Sequence, residues 1–146
     1  MRVELLLNGR PATVEASSDE MLVDALRREG LGSVRLTCGI GVCGACTVLV
    51  DGEPISACLT LTPQVEGKEV TTAEGLEDSD PVGRAFSEAH AFQCGWCTPG
   101  FVLTAKALLA DDPEPSDEEI ARALGGNLCR CGSYLKITEA VRRCAS

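Results

Sequence analysis

Eight of the nine cysteines in this 146-residue chain fall into two groups of four. Cys38, Cys43, Cys46 and Cys58 read C-x4-C-x2-C-x11-C; Cys94, Cys97, Cys129 and Cys131 read C-x2-C-x31-C-x-C. Any fold that uses these groups must bring four sulfurs to one place in each half of the chain. Four thiolates are the ligand set of a 2Fe–2S centre. Two such centres would consume every cysteine but Cys144, and the arithmetic points to electron transfer.

The first quartet has the plant-type spacing, and three of its members lie within nine residues interleaved with Gly39, Gly41 and Gly44. Wrapping sulfurs around one point demands positive φ angles and backbone N–H groups aimed at negative charge, which glycine permits. Cys58, at the end of the next hairpin, would close the cage. The second quartet arrives as two close pairs, each just before an expected helix start, where unpaired N–H donors favour thiolates. Taken alone, C-x2-C with C-x-C could also hold zinc; the plant-type set beside it favours a second cluster.

The rest of the sequence sets the frame. Residues 1–74 read as a small sheet with one helix. Runs Val3 to Leu7 and Ala12 to Ala16 flank the hairpin signal Asn8-Gly9, and Asp51-Gly52 joins Thr47 to Val50 with Pro54 to Ala57. Ser18 and Asp19 are expected to cap a helix carrying Met21, Leu22, Ala25 and Leu26, and Glu69 to Thr72 suits a last strand. The acidic stretch Glu74 to Pro81 reads as a solvated linker. Beyond it the period shifts towards 3.6, and residues 82–146 read as four helices: Val82 to Phe92, one through about Ala110 with Thr98 as N-cap and Pro99 at its first position, one opened by the Ser116/Glu119 capping box, and Tyr134 to Cys144. The fold class is therefore α+β, sheet first and helices second.

Composition excludes some roles. The formal net charge of −9 argues against nucleic acid or an anionic membrane as partner. No apolar stretch approaches transmembrane length. Met1 to Leu7 lacks the pattern of a signal peptide, so a cytoplasmic location is expected, where nine thiols favour metal over disulfides. Aromatics make up only 3% of the chain, so two small units would be short of burial, a shortage that metal clusters can offset. Cys144 reads as a partly buried, inert thiol, His90 as a surface or packing residue, and Trp96 as a lid over the second cluster.

Both motifs in order resemble the small iron–sulfur subunit of the molybdenum hydroxylases, the xanthine dehydrogenase and aerobic carbon monoxide dehydrogenase family. The matching segments are Cys38-Gly-Ile-Gly-Val-Cys43-Gly-Ala-Cys46-Thr-Val48, Gln93-Cys94-Gly-Trp-Cys97-Thr-Pro-Gly100 and Gly126-Asn-Leu-Cys129-Arg-Cys131. The resemblance implies a β-grasp, plant-ferredoxin-like domain followed by an all-α four-helix domain, each with one 2Fe–2S cluster. It further implies a large partner subunit holding a molybdopterin, in its cytosine dinucleotide form, and a medium FAD-binding subunit or another acceptor, assembled as a dimer of hetero-oligomers. Electrons would enter by the C-terminal cluster and leave by the N-terminal one, and Gln93 and Cys131 would touch the pterin. The chain departs from the family pattern at Thr37, commonly Gly, and at Gly132-Ser133-Tyr134, often Thr-Gly-Tyr. A free-standing two-cluster ferredoxin-type carrier and a zinc-stabilised interaction module are the competing readings.

Overall fold

The computed structural model describes residues 1–145, so Ser146, the end of the expected 82–146 unit, lies outside the described residues. Five strands form one mixed sheet in the order β2-β1-β5-β3-β4: β1 Arg2–Leu7, β2 Arg10–Glu15, β3 Thr47–Val50, β4 Glu53–Ser56 and β5 Glu69–Thr71. Both hairpins turn on residue pairs with positive φ, Asn8 (52°) with Gly9 (78°) and Asp51 (50°) with Gly52 (83°), the geometry that matches strand twist. The central β1–β5 pair is parallel, with Leu6 opposite Glu69 and Leu7 opposite Val70; the other pairs are antiparallel. Helix α1, Leu22–Arg28, covers one face. This is the β-grasp arrangement.

Alternation along β1 buries Val3 and Leu5, which join Val14, Leu22, Leu26, Val48 and Val70 in one apolar core. Strand β3 is buried at all four positions. Val48 and Val50 belong to the α1 core, and helix α3 packs against the same strand; a strand covered on both faces has no room for a polar side.

Four helices follow: α2 Pro81–Glu88, α3 Thr98–Asp111, α4 Asp117–Ala123 and α5 Tyr134–Cys144. Their own core gathers Phe86, Phe101, Ile120, Leu124, Ile137 and Val141. Residues Gly100 to Ala105 of α3 are buried on every side, the pattern of a helix enclosed by other elements. The Ser116/Glu119 capping box opens α4, with Glu119 N–H donating to Ser116 Oγ at 3.3 Å and Ser116 N–H to Glu119 Oε2 at 2.7 Å.

Several local expectations are corrected. Met21, not Ser18 or Asp19, occupies the N-cap of α1 and makes no side-chain cap bond, because it is bridged to Leu61; Ser17 Oγ instead bonds Asp19 at 2.8 Å. Helix α2 ends at Glu88 rather than Phe92, where His90 turns out at φ 51°. Thr98 is the first residue of α3, and Cys97 takes the cap position. The acidic stretch is no free linker. Glu74 accepts from the N–H (3.0 Å) and hydroxyl of Ser33, and Asp80 caps α2 through Val82 and Gly83 while pairing with Lys106. Each carboxylate anchors one end of the crossing between sheet and helices. No helix among the described residues is long and apolar enough to cross a membrane.

Candidate metal centres

The structure brings the cysteines together in the two expected groups. In the first, Cys38 meets Cys43 through their side chains, Cys46 meets Cys58, and Cys43 lies within charge range of Cys46. In the second, Cys94 meets Cys131, Cys97 meets Cys129, and Cys94 and Cys129 feel each other's charge. Each of these pairings lies within one group. Cys46 and Cys58 are part of the sheet's core and Cys129 of the helical core, so each group is anchored in a packed interior on one side and faces outward on the other. All nine cysteines are free thiols. Among the described residues no three or more His, Cys, Asp or Glu side chains converge on a single-ion geometry; the thiolates of a 2Fe–2S unit are divided between two irons.

Backbone N–H groups converge on the outer sulfurs. Ile40, Val42 and Cys43 donate to Cys38 Sγ at 3.5, 3.4 and 3.4 Å, and Ala45 donates to Cys43 Sγ at 3.4 Å. Positive φ at Gly39 (67°) and Gly41 (75°) turns these donors inward. The three amides, Ile40 foremost, pull the Cys38 thiol down to about 6. Burial pushes Cys46 up to about 11. In the second group the Trp96 amide, at 3.5 Å, lowers Cys94. Burial, reinforced by Cys129, pushes Cys97 up to about 12. Burial also acts to raise Cys129, but the Ser133 amide at 3.4 Å and the Ser133 hydroxyl outweigh it and hold the thiol below its ordinary value. A cradle of amide donors around sulfur suits thiolates that share an anionic cluster, and on that ground the residues fit the implied group.

The flanking residues hold the pairs in place. Tyr134 accepts the Cys129 N–H on its hydroxyl at 2.8 Å while its ring stands edge-on to Phe101, centroids 6.2 Å apart. The departure at Gly132-Ser133-Tyr134 thus leaves Cys129 with two local partners. Gln93 Nε2 donates to the Cys131 carbonyl at 3.2 Å, so the two residues expected at the pterin adjoin on an accessible face. Arg130, between Cys129 and Cys131 in sequence, is exposed. The Cys144 thiol donates to the Pro81 carbonyl at 3.3 Å, and burial, with Asp80 and Glu88 nearby, raises its pKa; it stands apart from both groups.

Sequence reasoning missed the seam between the groups. The Leu128 N–H donates to the Cys43 carbonyl at 2.9 Å, so a residue next to one quartet is bonded to a member of the other. Buried Asn127 donates to the Gly44 carbonyl (3.3 Å) and Thr47 Oγ1 (3.4 Å). A Cβ on Gly44 would stand 2.6 Å from both Asn127 Nδ2 and the Gly126 carbonyl. On the other side of the seam, Trp96 does not lie as a simple lid: its indole N–H donates to Thr37 Oγ1 at 2.8 Å and Arg35 covers its ring. A polar Asn127 in an otherwise apolar run was the one available signal.

Comparison with known proteins agrees with this geometry. A "2Fe-2S iron-sulfur cluster binding domain" matches residues 5–78, and a "[2Fe-2S] binding domain" matches residues 72–142. The chain is 47% identical to the nicotinate dehydrogenase small FeS subunit of Eubacterium barkeri, over 99% of this chain and 97% of that one. It is 43% identical to the xanthine dehydrogenase iron-sulfur-binding subunit of Escherichia coli O157:H7, over 97% and 92%. Among solved structures, quinoline 2-oxidoreductase from Pseudomonas putida 86 superposes with a TM-score of 0.94 at 40% identity, covering 99% of this chain and 93% of that one. Aldehyde oxidoreductase from Desulfovibrio desulfuricans superposes at 0.93 and 40%, covering 99% of this chain but 17% of that polypeptide. The order of the two matched domains, the near-complete coverage and the shared fold lead to one assignment: the chain belongs to the small iron–sulfur subunits of the xanthine dehydrogenase type of molybdenum hydroxylase.

Proposed function

We propose that the chain is the electron-transfer subunit of a molybdenum-containing hydroxylase or dehydrogenase, linking a molybdopterin site on a large partner subunit to a flavin subunit or another acceptor. Substrate chemistry belongs to the partner. Cys38, Cys43, Cys46 and Cys58 hold one 2Fe–2S cluster, and Cys94, Cys97, Cys129 and Cys131 hold the other. Each bound cluster supplies a one-electron centre. The division into a ferredoxin-like domain, 1–74, and a helical domain, 82–146, is supported by two separate apolar cores with one cysteine group attached to each.

The observation that carries the reading is the direct bond between the two sites, Leu128 N–H to the Cys43 carbonyl. A carrier with unrelated centres has no need of that contact, whereas a relay needs its two loops adjacent and immobile. Gln93 and Cys131 form the entry side: with one amide N–H on the Cys131 carbonyl, Gln93 has its second N–H and its carbonyl left to meet a pterin edge beside a ligand sulfur, and the cofactor would be the cytosine dinucleotide form. The proposed setting is cytoplasmic, where nine thiols stay reduced, and the proposed assembly is a dimer of hetero-oligomers with a medium FAD-binding subunit.

Metal, sulfide and paramagnetic resonance analysis of the native complex tests the reading. Four irons per chain, two distinct reduced signals and molybdenum on a co-purifying subunit are expected. A colourless chain with stoichiometric zinc would overturn it. A two-cluster chain that purifies alone would replace it with a diffusible carrier.

A further inference from the structure

We propose that Arg35, Thr37 and Trp96 form a clamp that positions the Cys94–Cys97 loop against the Cys38 loop and so sets the relation between the two metal sites. This inference rests on reading the two cysteine groups as cluster ligands. One nitrogen of the Arg35 guanidinium donates to the carbonyls of Gly95 and Trp96, both at 2.6 Å. The same guanidinium carbon stands 4.8 Å from the Trp96 ring centroid, a cation–π distance. The Arg35 backbone N–H donates to the Ala45 carbonyl at 3.2 Å, which ties the arginine's own main chain to the first ligand loop. The indole N–H returns the contact to Thr37, the residue next to Cys38.

The clamp acts on the middle of this arm, between its two anchored ends. The Cys129 side of the seam has the Leu128 bond and buried Asn127. The Cys94–Cys97 loop has Cys94 exposed, and its internal ties are the long Trp96 N–H to Cys94 Sγ contact (3.5 Å) and Thr98 N–H to the Gly95 carbonyl (3.4 Å). Gln93 anchors one end of the loop on the Cys131 carbonyl and α3, packed on β3, anchors the other; between those ends Arg35 and Trp96 hold Gly95 and Trp96 against the Cys38 loop. The roles are chemically distinct. Only a planar guanidinium can bond two carbonyls and stack on the indole at once, which a lysine ammonium cannot reproduce. Thr37, where the family commonly has glycine, supplies an acceptor that glycine lacks. The arginine also places a fixed positive charge on the loop that carries Cys94 and Cys97, so charge and geometry can be separated by substitution.

The test uses the holoprotein in its native complex, with both clusters reduced. The readouts are the magnetic splitting between the two paramagnetic centres and amide exchange over residues 95–97. Arg35→Ala is expected to keep four irons per chain, lose resolved splitting, and exchange at 95–97 faster by about tenfold or more, the scale of losing hydrogen bonds to a charged group. Arg35→Lys should restore the reduction potentials towards wild type but not the splitting. Thr37→Val should weaken the splitting, and Thr37→Ser should rescue it. If Arg35→Ala loses iron, Trp96→Phe decides together with Thr37→Val: the first removes the indole donor and shrinks the aromatic face, the second removes only the acceptor of that bond, and narrowed splitting in both supports the clamp. Unchanged splitting and exchange in both variants at full iron content overturns the clamp while leaving the cluster assignment intact. Fewer than four irons in the wild-type chain would remove the assignment itself, and the clamp with it.

Discussion

Gly100→Ala separates a close approach between the two halves from mere helix preference. Gly100 lies in the first turn of α3, and its φ is not in the left-handed region. An alanine there would improve helix propensity by about 1 kcal/mol. Its Cβ, however, would come within 3.0 Å of the Gly44 carbonyl oxygen and 3.3 Å from Asn127 Nδ2. The first neighbour is backbone in the cysteine loop, already accepting from Thr47 Oγ1 at 2.7 Å, so it has no rotamer by which to withdraw. Overpacking of this kind costs about 1–3 kcal/mol, occasionally more, and a backbone neighbour favours the upper end. The net expectation is a loss of about 1–2 kcal/mol, which for a chain of this length lowers the melting temperature by roughly 3–8 °C. Gly83→Ala in α2 is the control, since nothing lies within 4 Å of its added Cβ; it should gain about 0.4–1 kcal/mol. Melting would be followed by far-ultraviolet circular dichroism and by visible cluster absorption. If Gly100→Ala melts at or above wild type, as Gly83→Ala should, then the Gly44 loop yields freely and the argument from interlocked loops is wrong.

Other outcomes follow from the same geometry. Burial pushes the Asp80 carboxyl up, but the Lys106 ammonium and the Gly83 and Val82 amides outweigh it and hold it below its ordinary range. Its stabilising contribution is therefore complete above about pH 4 and declines as pH falls through the depressed folded value; the stability gap between wild type and Asp80→Asn should stay flat from about pH 8 to pH 5 and narrow only below about pH 4, measured by urea titration at each pH. Cys43→Ser should leave the chain folded with two irons instead of four and the second cluster's resonance signal intact; loss of both signals in a folded chain would contradict independent sites. Gln93→Ala should spare both clusters but slow their reduction by the molybdenum subunit in stopped-flow absorption, and an unchanged rate would remove the amide from the entry side.

Much of this protein was readable in order along the chain. The hairpin pairs Asn8-Gly9 and Asp51-Gly52 specify their turns through side chains that tolerate positive φ. The Ser116/Glu119 box and the span of α5 are likewise local facts, since capping and helical period depend on residues three or four apart. The first cysteine group was legible because ligand spacing in a short loop constrains the loop itself, and side-chain interactions pair Cys38 with Cys43, Cys46 with Cys58, Cys94 with Cys131 and Cys97 with Cys129.

What local pattern misjudged was decided by partners distant in sequence. Met21 is drawn from its expected helix by Leu61. Glu74 and Asp80 read as solvated until Ser33 and Lys106 are placed beside them. Trp96 looks like a lid until Thr37 and Arg35 arrive from 59 and 61 residues away. The candidate ligands are legible in spacing because closely spaced cysteines bring their sulfurs together within a local loop, whereas Cys58 and the Cys129–Cys131 pair reach their partners only through the fold. The joining of the two sites resides in tertiary structure, because hydrogen bonds such as Leu128 to Cys43 exist only once two independently patterned halves have packed face to face.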